Sequence, residues 1–392
     1  MSITKAIIGA DIFDGATHHL NSALVVSDGN VLEITTGQKL PDDCEIVRLD
    51  GGLIAPGYLD LQVNGGGGVL LNEQPDVDGI RTMCAAHAQF GTTAMLPTLI
   101  TDRPDITERA IAAGIEAYKH SVPGFIGLHL EGPHLSIAKK GAHAPELIRP
   151  MTDDDLNRLI QAKESLPYLM TTVAPEAISN EQISRLSSAG INVSLGHTDT
   201  SFVRASSAIE AGARCVTHLY NAMSPLTHRD PGLVGAALVR GDVFAGLIAD
   251  GYHVDPAAIS IALAAKNNPG RIFLVTDAMS TIGTDMTSLT LNGRNIRREN
   301  GCLLLEDGTL AGADLDMASA VRFMHSKIGL PADEALKMAS LYPAQCIGAT
   351  GEFGTLKQGS HANFVHLAKD LQIQQVWQNG KSITLNLDEP GV

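Results

Sequence analysis

Gly127-Leu128-His129-Leu130-Glu131-Gly132-Pro133-His134 is the stretch on which the fold turns. Its first half alternates as a buried strand does, and Gly-Pro then stops it just where a carboxylate and imidazoles gather. In a parallel α/β architecture the carboxyl end of a strand is where ligands sit, because the loops opening there vary while the sheet beneath stays rigid. Glu131 is therefore a candidate metal ligand. A buried carboxylate paired with His129 or His134 is the alternative, since such a group needs a partner of some kind.

Outward from this stretch, a texture of apolar run, polar tip and helix repeats. The runs are Leu53 to Val63, Gly91 to Ile100, Phe125 to Leu130, Leu169 to Ala174, Ile191 to Leu195, Cys215 to Leu219, Val243 to Ala249 and Arg271 to Thr276. Eight strands are what a closed parallel barrel needs. The segments between carry helix signals: the acidic turn Asp153-Asp154-Asp155 before Leu156, the apolar spacing from Ser201 to Gly212, and Asp255-Pro256 opening Ala257 to Lys266.

The two ends of the chain read differently. From Ile3 to about Leu53 the pattern is of short strands, with Asp28-Gly29-Asn30 between two apolar runs as a hairpin signal. The same texture returns in Ala362 to Leu367 and Ile373 to Trp377. Each half has too few strands to bury its own apolar face, so the two ends are expected to form one small β unit.

The 392 residues exceed what a barrel of about 250 residues requires, leaving room for that second unit. A formal charge of -15 argues against nucleic-acid or membrane-surface partners, which are bound through basic patches. The five cysteines are scattered and never form C-x-x-C, the usage of a reducing compartment. With no apolar run near the roughly 18 residues a membrane span needs, and early acidic residues where a signal peptide would lie, a soluble cytoplasmic protein is expected.

The strand tips carry Asp60, Gln62 and Asn64; Glu131 and His134; His197; His218; Asp250 and His253; and Asp277. A structural role would not select the same end of so many strands. Three protein ligands with one position open is the usual catalytic metal set, and Glu131, His197 and His218 supply it. Such a metal lowers the pKa of bound water so that hydroxide can attack a carbonyl. Asp277 is placed to take the proton and later deliver it to the leaving group, with a cap before Ser280 as its other reading. His253 is a candidate donor to a developing oxyanion. Asn221-Ala222 with Arg229 suggests a phosphate site through loop amides and a guanidinium, although Arg229 could equally pair with Asp230.

In combination and order, several motifs resemble those of the N-acetylglucosamine-6-phosphate deacetylases of the amidohydrolase superfamily. They are Ala55-Pro56-Gly57-Tyr58-Leu59-Asp60, His129 to His134, Gly141-Ala142-His143, Ser194 to Thr198, Thr217 to Met223, Asp250 to His253, Thr276-Asp277-Ala278 and Gly308 to Gly312. The resemblance implies a TIM-like (β/α)8 barrel over 54–354 and a small β-sandwich from 1–53 plus 355–392. It also implies hydrolysis of the acetamide of N-acetylglucosamine 6-phosphate to glucosamine 6-phosphate and acetate. By the same resemblance Glu131, His197 and His218 hold one divalent metal ion, Asp277 is base then acid, and His253 polarises the carbonyl. Ala142 and His143 contact the sugar, Asn221, Ala222 and Arg229 take the phosphate, and Leu310, Ala311 and Gly312 contact substrate. Because Arg229 would reach across a subunit interface, a homodimer is expected.

One departure is informative. Where many amidohydrolases carry His-x-His for a second metal, this chain reads Gln62-Val63-Asn64, and neutral amides compete poorly with imidazole for a transition metal. A single metal per site is expected, with zinc foremost and iron, cobalt or manganese also compatible. The alternatives are the galacto epimer as substrate, a cyclic amide such as a dihydropyrimidine or hydantoin, and a non-catalytic relative kept as a scaffold, which would usually have lost the ligands or Asp277.

Overall fold

The computed structural model describes residues 4–36, 40–41, 43–291 and 293–385. Eight parallel strands form its centre: Tyr58–Val63, Thr92–Ile100, Gly127–Glu131, Tyr168–Val173, Asn192–Leu195, Cys215–Val216, Phe244–Leu247 and Ile272–Leu274. They pair in chain order. Closure comes just beyond the eighth strand, where a parallel bridge joins Val63 to Ala278. There the Asp277 amide donates to the Gln62 carbonyl at 2.9 Å and the Asn64 amide to the Ala278 carbonyl at 2.9 Å. The result is a nearly closed TIM-like barrel.

Tyr58–Val63, Thr92–Ile100 and Gly127–Glu131 are buried at every residue, and Tyr168–Val173, Asn192–Leu195 and Phe244–Leu247 at all but the first, so even the polar residues that alternate along Tyr58–Val63 and Gly127–Glu131 face the barrel interior rather than solvent. Helices between them begin where the sequence predicts. Thr152 and Asp155 form a reciprocal capping box on Asp153–Ser165, Ser201 caps Phe202–Glu210, and the Asp255 carboxylate accepts from the Ala257 amide at the start of Pro256–Ala265. Asp60 does not reach the cavity. It lies inside the barrel, accepting from the Thr276 hydroxyl at 2.6 Å and the Gln62 amide at 3.2 Å, with burial pushing its carboxyl up to about 7. It ties the first strand to the eighth.

The first apolar run divides at Gly57. Leu53–Pro56 pairs antiparallel with Phe364–Leu367 and parallel with Asp11–Phe13 in a terminal sheet, while Tyr58–Val63 enters the barrel. The terminal sequences form a six-stranded and a four-stranded sheet, and Ile7, Ile12, Leu24, Phe364 and Trp377 share one buried cluster. Leu53, Val365, Leu367 and Val376 pack instead into the main core. Residues 1–3, 37–39 and 42 of the expected 1–53 segment, and 386–392 of the other, lie outside the described residues.

One element has no counterpart among the expected runs. Between the eighth strand and the helix Met317–Ser326, the strands Ser288–Leu291, Arg294–Glu299, Cys302–Leu305 and Leu310–Ala313 form an antiparallel sheet. Leu70, Met279, Leu289, Ile296 and Leu303 give it its own buried cluster. Its last strand is fixed to the barrel mouth, since the Ala313 amide donates to the Asp277 carbonyl at 2.9 Å and the Met279 amide to the Ala313 carbonyl at 3.1 Å. Among the described residues no helix is long and apolar enough to cross a membrane.

Candidate active site and metal centre

The third, fifth, sixth and eighth strands each deliver one side chain to the same point. Glu131 is the last residue of its strand and is buried. A side chain on Gly132, whose φ is +90°, would meet Thr101 Oγ1 at 2.2 Å, so the turn after Glu131 requires glycine. His197, His218 and Asp277 have φ of 46°, 28° and 51°. Left-handed backbone costs about 1 kcal/mol or more at a residue other than glycine. Three such residues at neighbouring strand ends indicate that the chain tolerates strain in order to aim these side chains.

Glu131 Oε1 lies 3.2 Å from His197 Nε2 and 3.1 Å from His218 Nε2, and the two nitrogens are 3.0 Å apart. His197 Nδ1 donates to the Lys139 carbonyl at 2.8 Å, which leaves the lone pair of its neutral ring on Nε2. A carboxylate oxygen and two imidazole nitrogens thus converge within one small triangle, an arrangement that a cation stabilises and that suits a divalent metal. Although burial opposes charge on both groups, the two histidines hold Glu131 well below its usual range, and Glu131 in turn raises His218.

His143 stands close enough to compete for a place in this set, since Glu131, His143 and His197 offer ligand atoms within 4.8 Å of one another. Its hydrogen bonds argue otherwise. Its Nδ1 meets the Thr101 hydroxyl at 2.7 Å and accepts from the Thr101 backbone N–H at 3.3 Å, and burial keeps the ring neutral by driving its pKa well down. The proton is then on Nε2, making that nitrogen a donor rather than a ligand.

The other histidines near Glu131 have separate partners. His129 donates through Nδ1 to the Leu61 carbonyl at 3.0 Å and meets the Thr172 hydroxyl at 2.7 Å. His134 donates to the Arg149 carbonyl at 3.2 Å. Neither is the partner of Glu131, so the alternative of a structural carboxylate–histidine pair with them does not hold.

Gln62 and Asn64 occupy the first strand end as amide donors. Gln62 Nε2 donates to Glu131 Oε1 at 3.1 Å and to Asp277 Oδ1 at 3.2 Å, while Asn64 Nδ2 donates to Asp277 Oδ1 at 2.7 Å. N–H groups point where a second cation would need lone pairs. Burial, reinforced by the negative charge of Glu131, pushes Asp277 up to about 6.

These groups open onto a cavity of about 370 Å³, also lined by Asn221, Ala222, His253 and Leu310 to Gly312. Gly312, at φ +70°, lets the inserted sheet approach the barrel, because a Cβ there would meet Met279 Cγ at 2.5 Å. His253 Nδ1 donates to Asp250 Oδ2 at 2.6 Å, turning the other face of the ring to the cavity, and Asp250 Oδ1 accepts the Tyr252 and His253 amides at 2.8 Å each. Although burial works against it, the His253 ring holds Asp250 below the usual carboxylate range.

Ala142 and His143 line the cavity as well. Arg229 does not: it is exposed, and Asp230 Oδ1 instead accepts from the Phe202 and Gly232 amides at 3.1 Å each. Three contributors escaped the reading of strand tips as reactive groups. Asp250 was visible as a tip, but its role in orienting His253 was not. Lys139 lines the cavity, and Arg294 of the inserted sheet donates to the Ala142 carbonyl. The run Lys139-Lys140-Gly141-Ala142-His143 held the signal for Lys139, as basic residues beside a cavity histidine.

A family model described as the amidohydrolase family matches residues 53–383. Over 375 residues the chain is 41% identical to the N-acetylgalactosamine-6-phosphate deacetylase of Shewanella sp. (strain ANA-3), covering 95% of this chain and 94% of that protein. It is 32% identical to the N-acetylglucosamine-6-phosphate deacetylase of Haemophilus influenzae (strain ATCC 51907 / DSM 11121 / KW20 / Rd), covering 92% and 95%. The crystal structure of N-acetylglucosamine-6-phosphate deacetylase from Pasteurella multocida superposes with a TM-score of 0.93 at 32% identity, covering 97% of this chain and 100% of that one.

Proposed function

Because the chain belongs to the amidohydrolase family, and is a hydrolase acting on amides, we propose that it removes the acetyl group of N-acetylglucosamine 6-phosphate, releasing glucosamine 6-phosphate and acetate. The observation that carries this is the convergence of Glu131, His197 and His218 within 3.2 Å beside Asp277, at the end of a cavity large enough for a phosphorylated sugar. A second reading, the galacto epimer, is favoured by the 41% identity to a relative named for that substrate. The scaffold alternative is disfavoured by the intact set of Glu131, His197, His218 and Asp277.

In this reading Glu131, His197 and His218 hold one divalent cation, zinc being the proposed metal. When bound, it supplies Lewis acidity and makes hydroxide available near neutral pH. Asp277, held by the Gln62 and Asn64 amides, takes the proton from the attacking water and returns it to the departing amine. His253, fixed by Asp250, faces the acetyl oxygen, where a donor counts most as negative charge develops. His143 donates through Nε2 to the sugar, with Ala142 and Leu310 to Gly312 completing the wall. The Ala222 backbone N–H and the Asn221 side chain take the phosphate, the Asn221 backbone N–H being held by the His218 carbonyl at 2.9 Å, and Arg229, which lies away from its own cavity, completes the neighbouring site in a homodimer.

The deciding experiment is acetate release from N-acetylglucosamine 6-phosphate, its galacto epimer and the unphosphorylated sugar, with metal per chain measured on the same sample. Turnover that requires the phosphate, with about one metal per chain, supports the reading. The ratio of kcat/KM between the epimers decides which sugar is the substrate, and a folded, metal-loaded protein inert toward both overturns the assignment.

The Asp250–His253 pair gives a separate prediction. Asp250→Ala frees the His253 ring to rotate, so kcat is expected to fall about 10- to 100-fold, as for lost partners of site histidines elsewhere. Metal content should not change. An unaltered kcat would show that His253 needs no such support.

A further inference from the structure

The cavity must accept a dianionic phosphate although Glu131 and Asp277 already place two carboxylates in it and the chain carries a net charge of -15. Among the described residues lining it, Lys139 is the sole Lys or Arg. It closes a short helical turn, Ile137–Lys139, on the loop after the third barrel strand, and its ammonium lies 3.4 Å from Asp199 Oδ1. Asp199 is itself exposed, at the rim of the loop that follows the fifth strand. It follows Thr198, whose amide donates to the Ala222 carbonyl at 3.1 Å and whose carbonyl accepts from the Ser224 amide at 2.9 Å. Lys139 lines the same cavity as Asn221 and Ala222, the residues read above as the phosphate end.

The ion pair with Asp199 is one that a substrate can displace. Asp199 keeps more than half of its side chain exposed, at 54%, and exposed pairs at this distance contribute little stability. A phosphate dianion offers more charge and more acceptor oxygens to the same ammonium. We infer that Lys139 is a substrate-binding residue that leaves Asp199 to engage the 6-phosphate group from within the same subunit, and so confers selectivity for the phosphorylated sugar. This rests on the proposed substrate.

The side chain can be tested without disturbing the metal ligands, because it is the Lys139 backbone carbonyl that accepts from His197 Nδ1. In Lys139→Met, KM for the phosphorylated N-acetyl sugar is expected to rise about 10- to 100-fold, the loss typical of one charge-assisted contact. The kcat at saturation, the metal content and kcat/KM for the unphosphorylated sugar should stay within about twofold of wild type. Lys139→Arg, which retains the charge, should recover much of the loss. Equal losses on both sugars, or metal loss, would mean a structural role and overturn the inference. So would a Lys139→Met enzyme that prefers the phosphorylated sugar as strongly as wild type does. A wild type indifferent to the phosphate would instead overturn the substrate reading, and this inference with it.

Discussion

Asp277→Asn is expected to lower kcat by about 10³-fold or more while leaving fold and metal content intact, because it removes the one group placed both to accept and to return a proton. The amide keeps the shape of the carboxylate, and its oxygen can still accept from Asn64 Nδ2, now at 2.7 Å. A neutral amide is no costlier to bury than the carboxylate it replaces, so the melting temperature should hold. Measured together, kcat, metal per chain and Tm separate the possible roles. Turnover within about tenfold of wild type would remove Asp277 from the acid–base role. Loss of metal on dialysis would make it a ligand instead.

What the sequence disclosed follows from which physical constraints act locally. The barrel strands were legible because burial on both faces makes them short, mostly apolar segments set between helix signals, and the Glu131 carboxylate was legible because Gly132-Pro133 ends its strand abruptly. The inserted sheet was overlooked although Asn300-Gly301 and Asp307-Gly308 are hairpin signals between alternating runs. Its four short strands lie where an eight-stranded count is already complete. Other features are set by long-range contact and leave no local trace. Nothing in Gln62-Val63-Asn64 reveals that both amides turn N–H groups toward Asp277, 215 and 213 positions away. The positive φ of His197 and His218 likewise belongs to the assembled strand ends, and neither residue type announces it. Gly57 shows the reverse case: the run around it is uniformly apolar, yet a Cβ there would meet Thr93 Oγ1 at 2.2 Å, and the chain changes sheets at that point.

Replacing Glu131 with Gln tests the metal centre at its most constrained member. The substitution preserves length and burial but removes the one negative charge that, among the described residues, lies within 3.2 Å of both imidazole nitrogens. A neutral amide oxygen is a weaker ligand, and its amino half would face either Gln62 Nε2 or the histidines, where the existing contacts call for an acceptor. After dialysis against a chelator and return to one equivalent of zinc, wild type should recover about one metal per chain and Glu131→Gln close to none. Activity should fall by about 10³-fold, since the Lewis acid is lost rather than one proton-transfer group. Thermal melting supplies a readout independent of turnover: zinc should raise the Tm of the stripped wild type, as any ligand specific for the folded state does, and leave that of Glu131→Gln unmoved. A variant that binds zinc as tightly as wild type would place the cation elsewhere, with the Glu131, His143 and His197 grouping losing its claim as well, because both sets depend on the same carboxylate. Full zinc loss with His143→Asn still metal-replete would assign the third position to His218.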